Sequence, residues 1–368
     1  MYRSFKVSNY RCFDDLTIAE LERVNLIAGM NNVGKTALLE ALFLHCGAYN
    51  PELTLRVDAF RGIEIKRLEP EPWKGTPWDW LFHQFDTSKV IEMVGEDTIT
   101  GRRVLRLEIL KDPSELKHIE LPVRGGLDDK GILKDSDRRY SVSTSESVKV
   151  LRLKYEDPQL KKDYLMLLDQ KGLHMSPIPP APPFPAFFQG ARMRISPKEE
   201  AEHFGRLVVR KEQDAVLRVL QLSEPKLERL TTVFVADVPM LYGEVGTGHL
   251  IPLPLMGEGM VRLADLVLQI GNARGGVMLV DEIENGLHHS ILPRVWQAIG
   301  EVARQFDVQV FATTHSLECI IAAHRAFSEN PPYDFRLHRL ERVGETIRAV
   351  TYDRETLQAA IEAELEVR

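Results

Sequence analysis

The sequence predicts an α/β protein with a parallel core sheet, a mixed sheet near the N-terminus and a helical lobe, and three observations predict it. First, Val24 to Ala28 (VNLIA) is a short apolar run leading straight into glycine. It is followed by TALLEALFL, whose Leu38, Leu39, Leu42 and Phe43 share one side of a helix. Second, the last third alternates strand and helix: VRLADLVLQI, VMLV, HHSILPRVWQAIGEVARQF, VQVFATT and SLECIIAAHRAF. That alternation implies a parallel sheet with crossover helices. Third, FKVSNYRCF and LTIAEL near the start alternate roughly with period two, as half-buried strands do.

At 368 residues, 44% hydrophobic and 27% charged, the chain has the composition of a soluble globular protein of about two domains, or one with insertions. No apolar run approaches the roughly 20 residues that span a bilayer, and the N-terminus lacks a signal-peptide layout. No membrane role and a cytoplasmic location are therefore expected. Cys12, Cys46 and Cys319 are too few and too scattered for a disulfide framework or a metal site, and are expected as reduced thiols. The net charge of −7 argues against a generally basic nucleic-acid coat, although 47 Lys and Arg leave room for a local groove.

Between these ends the pattern is less regular. WKGTPWDWLFHQF gathers Trp73, Trp78, Trp80, Phe82 and Phe85 with few cations, which favours a hydrophobic cluster over base stacking. VLRLEIL, KHIELPV and KVLRLKY read as strands around a polar loop, GGLDDKGILKDSDRRYSVSTSES. PIPPAPPFP, residues 177–185, is a stiff extended connector. PKEEAEHFGRLVVRKEQDAVLRVLQL then reads as helical, and KLERLTTVFV opens another strand system. The tail reads as a hairpin about Gly344 and a last helix capped by Asp353.

Three segments carry chemistry. Gly29-Met30-Asn31-Asn32-Val33-Gly34-Lys35-Thr36 fits the phosphate-loop pattern in full, between a strand and a helix. Gly29 and Gly34 let backbone N–H groups of Asn31, Asn32, Val33 and the helix start at Ala37 cradle phosphate oxygens, where the helix dipole favours negative charge. Lys35 can reach the β- and γ-phosphates and Thr36 can hold Mg²⁺. Next, Val277 to Val280 is a buried strand ending in Asp281-Glu282, at the edge of a parallel sheet where ligands bind. Asp281 suits Mg²⁺, directly or through water, and Glu282 suits a water to be activated; a helix N-cap is the bland alternative. Last, His315 in Thr313-Thr314-His315-Ser316 ends the following strand, where it can bond the γ-phosphate or the attacking water.

In this order the loop, the Asp-Glu strand and the His-bearing strand resemble the ABC-type ATPase heads, including SMC proteins, RecF and the OLD-like ATPases. NNVGKT, DEIENGLHHS and the opening NYRCFDDLTI are most similar to the OLD-like branch, widely termed AAA family ATPases. The resemblance covers residues 1–46 and 250–320, extends less clearly to the tail, and is absent for 50–175. It implies a P-loop NTPase fold that binds ATP and Mg²⁺ and hydrolyses the β–γ bond between two protomers. It also implies a glycine motif that reaches the partner's nucleotide. Gly257 and Gly259 in MGEGM match it, with Gly257 in place of serine and Met260 in place of glutamine. Gly286-Leu287-His288 stands where a loop crosses the interface, with histidine in place of aspartate. Gln189 is the implied third Mg²⁺ contact, and Arg11 is a candidate to face the nucleotide or to form a salt bridge.

On this resemblance residues 1–50 and 236–368 form the ATPase head, 51–176 an insertion, and 177–235 the proline connector and helical lobe. The expected function is an ATP-gated dimer clamp in prokaryotic anti-phage defence or DNA processing. About 50 residues follow the His-bearing strand, too few for a Toprim nuclease, so a nuclease or toxin would be a separate effector chain. DNA is a further candidate partner. A RecF- or SMC-like repair ATPase, and a nucleotide-sensing scaffold with little turnover, are the alternatives.

Overall fold

The computed structural model describes residues 1–61, 76–98, 100–110, 120–122, 139–141, 149–169, 172–191 and 195–368. They form two compact units, one of Met1–Ser4, Thr17–Cys46 and Phe184–Arg368, the other of Phe5–Leu16 and Gly47–Pro183. In chain order the first elements are β1 (Tyr2–Tyr10), β2 (Phe13–Ile18), β3 (Val24–Ala28), α1 (Lys35–Gly47) and α2 (Leu53–Ala59). Then come β4 (Ile91–Asp97), β5 (Gly101–Leu110), β6 (Glu120–Pro122), β7 (Arg139–Ser141), β8 (Lys149–Glu156), β9 (Lys161–Asp169), β10 (Gly172–Ser176) and β11 (Ala186–Gln189). Next are α3 (Pro197–Val209), α4 (Gln213–Leu220), β12 (Arg229–Val235), β13 (Val238–Glu244), β14 (Leu250–Pro252), α5 (Glu258–Asn272) and β15 (Val277–Val280). The chain ends with α6 (Leu292–Gln305), β16 (Gln309–Thr313), α7 (Leu317–Glu329), β17 (Phe335–Val343), β18 (Thr346–Tyr352) and α8 (Arg354–Glu362).

The first unit is built on a six-stranded sheet of order β11-β15-β16-β3-β17-β18. Its first five strands run parallel, and β18 closes the edge antiparallel to β17. Every residue of β3, β15 and β16 is buried, which explains their continuous apolar runs: a parallel strand covered on both faces needs no polar side. The register pairs Gln189 with Val280, Val280 with Ala312, and Ile27 with Thr313. The carboxyl ends of β11, β15, β16 and β3 therefore finish together at one edge, the place where α/β sheets bind ligands.

The first helix departs from the expected one-sided pattern. Ala37 to Cys46 are all buried, including Glu40 and His45, so α1 has no solvent face. Its apolar residues go all round because it is enclosed by protein on every side. The tail hairpin and the Asp353 cap are present, the latter as a capping box with Thr356. β12, β13 and β14 make a separate three-stranded antiparallel sheet against which α3 packs.

Helix α3 starts on Ser196, whose hydroxyl accepts from the Glu199 N–H while Glu199 bonds back to the Ser196 N–H. One turn in, Glu200 is 5% exposed, and burial, reinforced by the Asp265 charge on α5, pushes its carboxyl up to about 7. A carboxyl raised in the folded state stays protonated while the unfolded chain ionises, so stability falls as pH rises from about 4.5 to about 7. Glu200→Gln removes that loss. Thermal melts should show the variant more stable than wild type at pH 8, by roughly 3 kcal/mol, and indistinguishable at pH 4.

The second unit carries most of a seven-stranded sheet of order β10-β9-β8-β5-β4-β1-β2. β4 and β5, β5 and β8, β8 and β9, and β9 and β10 pair antiparallel. Alternating burial along β4 and β8 is the period two of strands with one buried face. A fully buried ion pair, Arg103 Nε to Asp97 Oδ2 at 2.9 Å, closes the β4–β5 turn region. Arg11 pairs with Asp58 at 2.9 Å within this unit, the salt-bridge alternative of the two considered for it. Of the aromatic cluster, Trp78 and Phe82 are buried, while Trp80 and Phe85 stand exposed with ring centroids 6.1 Å apart; Trp73 lies outside the described residues. Within the expected polar loop Arg139–Ser141 is a strand paired with Glu120–Pro122, and the rest lies outside the described residues. Among the described residues, no helix is long and apolar enough to cross a membrane.

Candidate functional site

The phosphate loop is held open by its glycines. Gly29 has φ 141°, and a Cβ there would lie 2.5 Å from the Leu340 carbonyl oxygen and 2.8 Å from Val33 Cγ1, so this position excludes any side chain. Asn32 and Gly34 adopt left-handed φ of 62° and 96°, which turn the chain into α1; Leu38 N–H bonds Gly34 O at 2.9 Å. Val33 is buried and pegs the loop, Asn31 and Asn32 are exposed, and Ala37 packs inside the helix start. Lys35 Nζ donates to Gly29 O (2.6 Å) and Met30 O (3.0 Å), closing the loop on itself. Burial pushes the Lys35 amine below its ordinary value, and the carboxylates of Asp281, Glu282 and Glu284 pull the other way.

Asp281 is the hub. The Thr36 hydroxyl lies 3.1 and 3.0 Å from its two oxygens, and the Thr313 hydroxyl donates to Oδ1 at 2.6 Å. Two strand ends and the start of α1 are thus tied through one carboxylate. The same Thr313 oxygen accepts from Glu282 N–H at 2.8 Å, and Thr313 O accepts from Ile283 N–H at 3.0 Å. Glu282 itself sits at φ 49°, a left-handed conformation that a glutamate adopts at a cost of order 1–3 kcal/mol, held here by those bonds.

Arg262, on α5, fixes the other side of this turn. Its guanidinium donates to Glu282 O (2.8 Å), Asp281 O (2.9 Å) and Ala191 O (3.1 Å). Asn285 also donates to Ala191 O, at 3.2 Å. Gln189 ends β11 beside Val280 and gives its carbonyl to Asp281 N–H at 2.8 Å. Its side chain is 3% exposed, yet neither Oε1 nor Nε2 has a hydrogen-bond partner among the described residues. A buried carboxamide without partners is costly unless something binds it. With the Thr36 hydroxyl and the Asp281 carboxylate it offers the all-oxygen donors that a small divalent cation takes, so the residues fit Mg²⁺.

His315 follows β16 with its side chain 55% exposed. Its backbone N–H bonds Glu284 Oε1 at 3.0 Å and its Nδ1 lies 3.2 Å from the same oxygen. The glycine motif lies elsewhere. Gly257, at φ 107°, opens onto free space before α5, while a Cβ on Gly259 would come 2.7 Å from Gly286 O. Gly286 is itself left-handed at 73°, and Leu287, His288 and His289 follow it at the surface. The structure thus gathers Lys35, Thr36, Asp281 and Thr313 at one edge, with Gln189 and Glu282 on the adjoining residues. It places Gly259 against the Gly286 turn and leaves Gly257 open.

Arg262, Glu284 and the Thr313 hydroxyl were not marked by the sequence. Their partners are 19 to 71 positions away. Backbone carbonyls as acceptors leave no residue pattern. A second acid two places after Glu282 is the one visible signal.

Comparison with known proteins agrees with this arrangement. Residues 24–320 match the family described as "AAA domain, putative AbiEii toxin, Type IV TA system". A Helicobacter pylori protein named ATP/GTP phosphatase is 23% identical over 354 residues, spanning 87% of this chain and 86% of that protein. Among solved structures, an SmcHead bound to the C-winged helix domain of ScpA superposes with a TM-score of 0.50 at 11% identity. It covers 98% of this chain and 99% of that one. The chain accordingly belongs to this AAA-domain family of ATPases and has the fold of an ABC-type ATPase head.

Proposed function

We propose that this ATPase is an ATP-gated clamp, in which two copies close on two nucleotides and hydrolysis reopens them. The observation that carries the reading is Gly257, at φ 107°, where an added Cβ would meet no atom of the chain within 4 Å. It is the N-cap of α5, so the start of that helix borders a surface that its own chain leaves open. Such a surface suits a phosphate presented by a second copy.

In this reading the loop N–H groups and Lys35 hold the β- and γ-phosphates. Lys35 exchanges its two carbonyl partners for phosphate oxygens, and the stronger negative charge favours its protonated form. Thr36, Asp281 and Gln189 would hold Mg²⁺, which when bound would supply positive charge against the phosphates. Glu282 accepts a proton from water as the water oxygen attacks the γ-phosphorus; the bond to the bridging oxygen breaks, leaving ADP and phosphate. His315 bonds the γ-phosphate or that water. Arg262 and Thr313 keep the Glu282 backbone in place, so the carboxylate is aimed before ATP arrives.

The output is proposed to pass to a separate nuclease or toxin chain in a defence or DNA-processing system. The support is the matched family's description, which names AbiEii toxin and Type IV TA system. Sedimentation of the pure protein tests the clamp. A non-hydrolysable ATP analogue with Mg²⁺ should double the mass and ADP should not; a mass indifferent to nucleotide would overturn the reading.

A further inference from the structure

We propose that Glu284 is a positioning residue that fixes the proton on His315 Nδ1 and so presents Nε2 to the γ-phosphate or attacking water. The proposal rests on the reading of His315 given above.

The loop after β15 takes its shape without the Glu284 side chain. Glu282 N–H and Ile283 N–H are bound by Thr313, Ile283 is buried, Asn285 N–H bonds Glu282 O at 3.0 Å, and Leu287 N–H bonds Glu284 O at 3.0 Å. The carboxylate is left for another use. Its side chain is 12% exposed. Among the described residues, its contacts through hydrogen bonds and ion pairs go to one residue, His315: backbone N–H at 3.0 Å and Nδ1 at 3.2 Å, both on Oε1. Oε2 is buried and has no hydrogen-bond partner among the described residues.

The chemistry follows from the acceptor. An ionised carboxylate has only lone pairs to offer, so the imidazole nitrogen facing it must carry hydrogen. The partner of one ring nitrogen decides the state of the other. With Nδ1 held 3.2 Å from that carboxylate, Nε2 becomes the nitrogen that is free to act. The hydrogen bond from the His315 backbone N–H stops the residue from swinging away with α7. That helix begins two residues later, at Leu317, and Ser316 caps it by accepting from Cys319 N–H. Glu282 and His315 are thereby carried on one rigid loop pair. The same acid that orients the histidine is two residues from the acid that faces the water.

The test uses the full chain with Glu284→Ala, Glu284→Gln, His315→Ala and the double variant Glu284→Ala/His315→Ala. Three results are expected. Glu284→Ala lowers kcat about 10- to 100-fold with KM little changed, as loss of orientation does. Glu284→Gln, which still offers an acceptor oxygen, recovers part of the rate. The double variant is no slower than His315→Ala, because the two residues act as one unit. ¹⁵N spectra of the nucleotide-free protein should place the His315 proton on Nδ1 in wild type and redistribute it in Glu284→Ala.

Unchanged kcat and unchanged tautomer in both Glu284 variants would overturn the proposal. So would losses that multiply in the double variant, since Glu284 would then act independently of His315. If His315→Ala alone turned over as wild type, the reading of His315 would be what fails, and the catalytic role of the pair with it. Should the alanine variant not fold, the glutamine variant and its spectrum decide the matter alone.

Discussion

Replacing Glu282 with glutamine should cut ATP turnover about 10²- to 10⁴-fold while leaving ATP bound, the range lost with a general base. Glutamine has nearly the same shape. The features that hold the position, the N–H bond to Thr313 and the carbonyl bond from Arg262, belong to the backbone and survive the change. The strained φ of 49° therefore persists, and only the proton acceptor is removed. Single-turnover phosphate release checks this, together with the nucleotide retained after gel filtration. The variant should elute with ATP, in the doubled species. Turnover at the wild-type rate would remove Glu282 from the chemistry.

Lys35→Met should weaken ATP affinity by about a hundredfold or more, the loss seen when one charge clamp on a phosphoryl group is deleted. The same substitution should leave the nucleotide-free protein at least as stable as wild type. Burial lowers the Lys35 pKa below its unfolded value in spite of three nearby carboxylates, so the folded state binds its proton less well than the unfolded state does. By linkage the ammonium opposes folding at pH values below its folded pKa, and that cost is relieved as pH rises through it. An apolar chain of similar length removes the cost. Differential scanning fluorimetry reads both effects: an unchanged or raised Tm without nucleotide, and no further rise when ATP and Mg²⁺ are added. A large ATP-dependent shift in the variant would contradict the role given to Lys35.

The parts of this site that were legible in the sequence are those in which residue type and local spacing carry the chemistry. GMNNVGKT declares its turn because only glycine fits at Gly29, against the Leu340 carbonyl. Asp281 and His315 declare themselves because each directly follows a wholly apolar strand or its closing threonines. What holds these groups was hidden. Arg262 acts on carbonyl oxygens, which every residue has, and Thr313 acts through a hydroxyl that would serve equally as a strand residue. Helix α1 was read as one-sided because its leucines fall at helical spacing. The alanines, Cys46 and even Glu40 between them are buried as well, which only the layers around the helix determine. The aromatic cluster shows the converse. Trp78 and Phe82 go inward while Trp80 stands outward on the short helical turn Asp79–Leu81, and beyond Phe82 the left-handed φ of Gln84 and Phe85 redirects the chain so that Phe85 is exposed.

The two-protomer clamp is tested most directly by mixing two inactive variants. Lys35→Ala lacks a working loop, and Gly257→Asp places a carboxylate on the open side of the glycine surface, where it would repel the partner's phosphate. Each alone should hydrolyse no ATP, although Gly257→Asp should still bind it. In an equimolar mixture, half of the dimers pair one variant with the other. Each such dimer holds one site with an intact loop and an intact glycine motif, so about a quarter of wild-type ATPase activity should return. A mixture as inactive as its parts, or a Gly257→Asp protein with full activity by itself, would contradict a site shared between two copies.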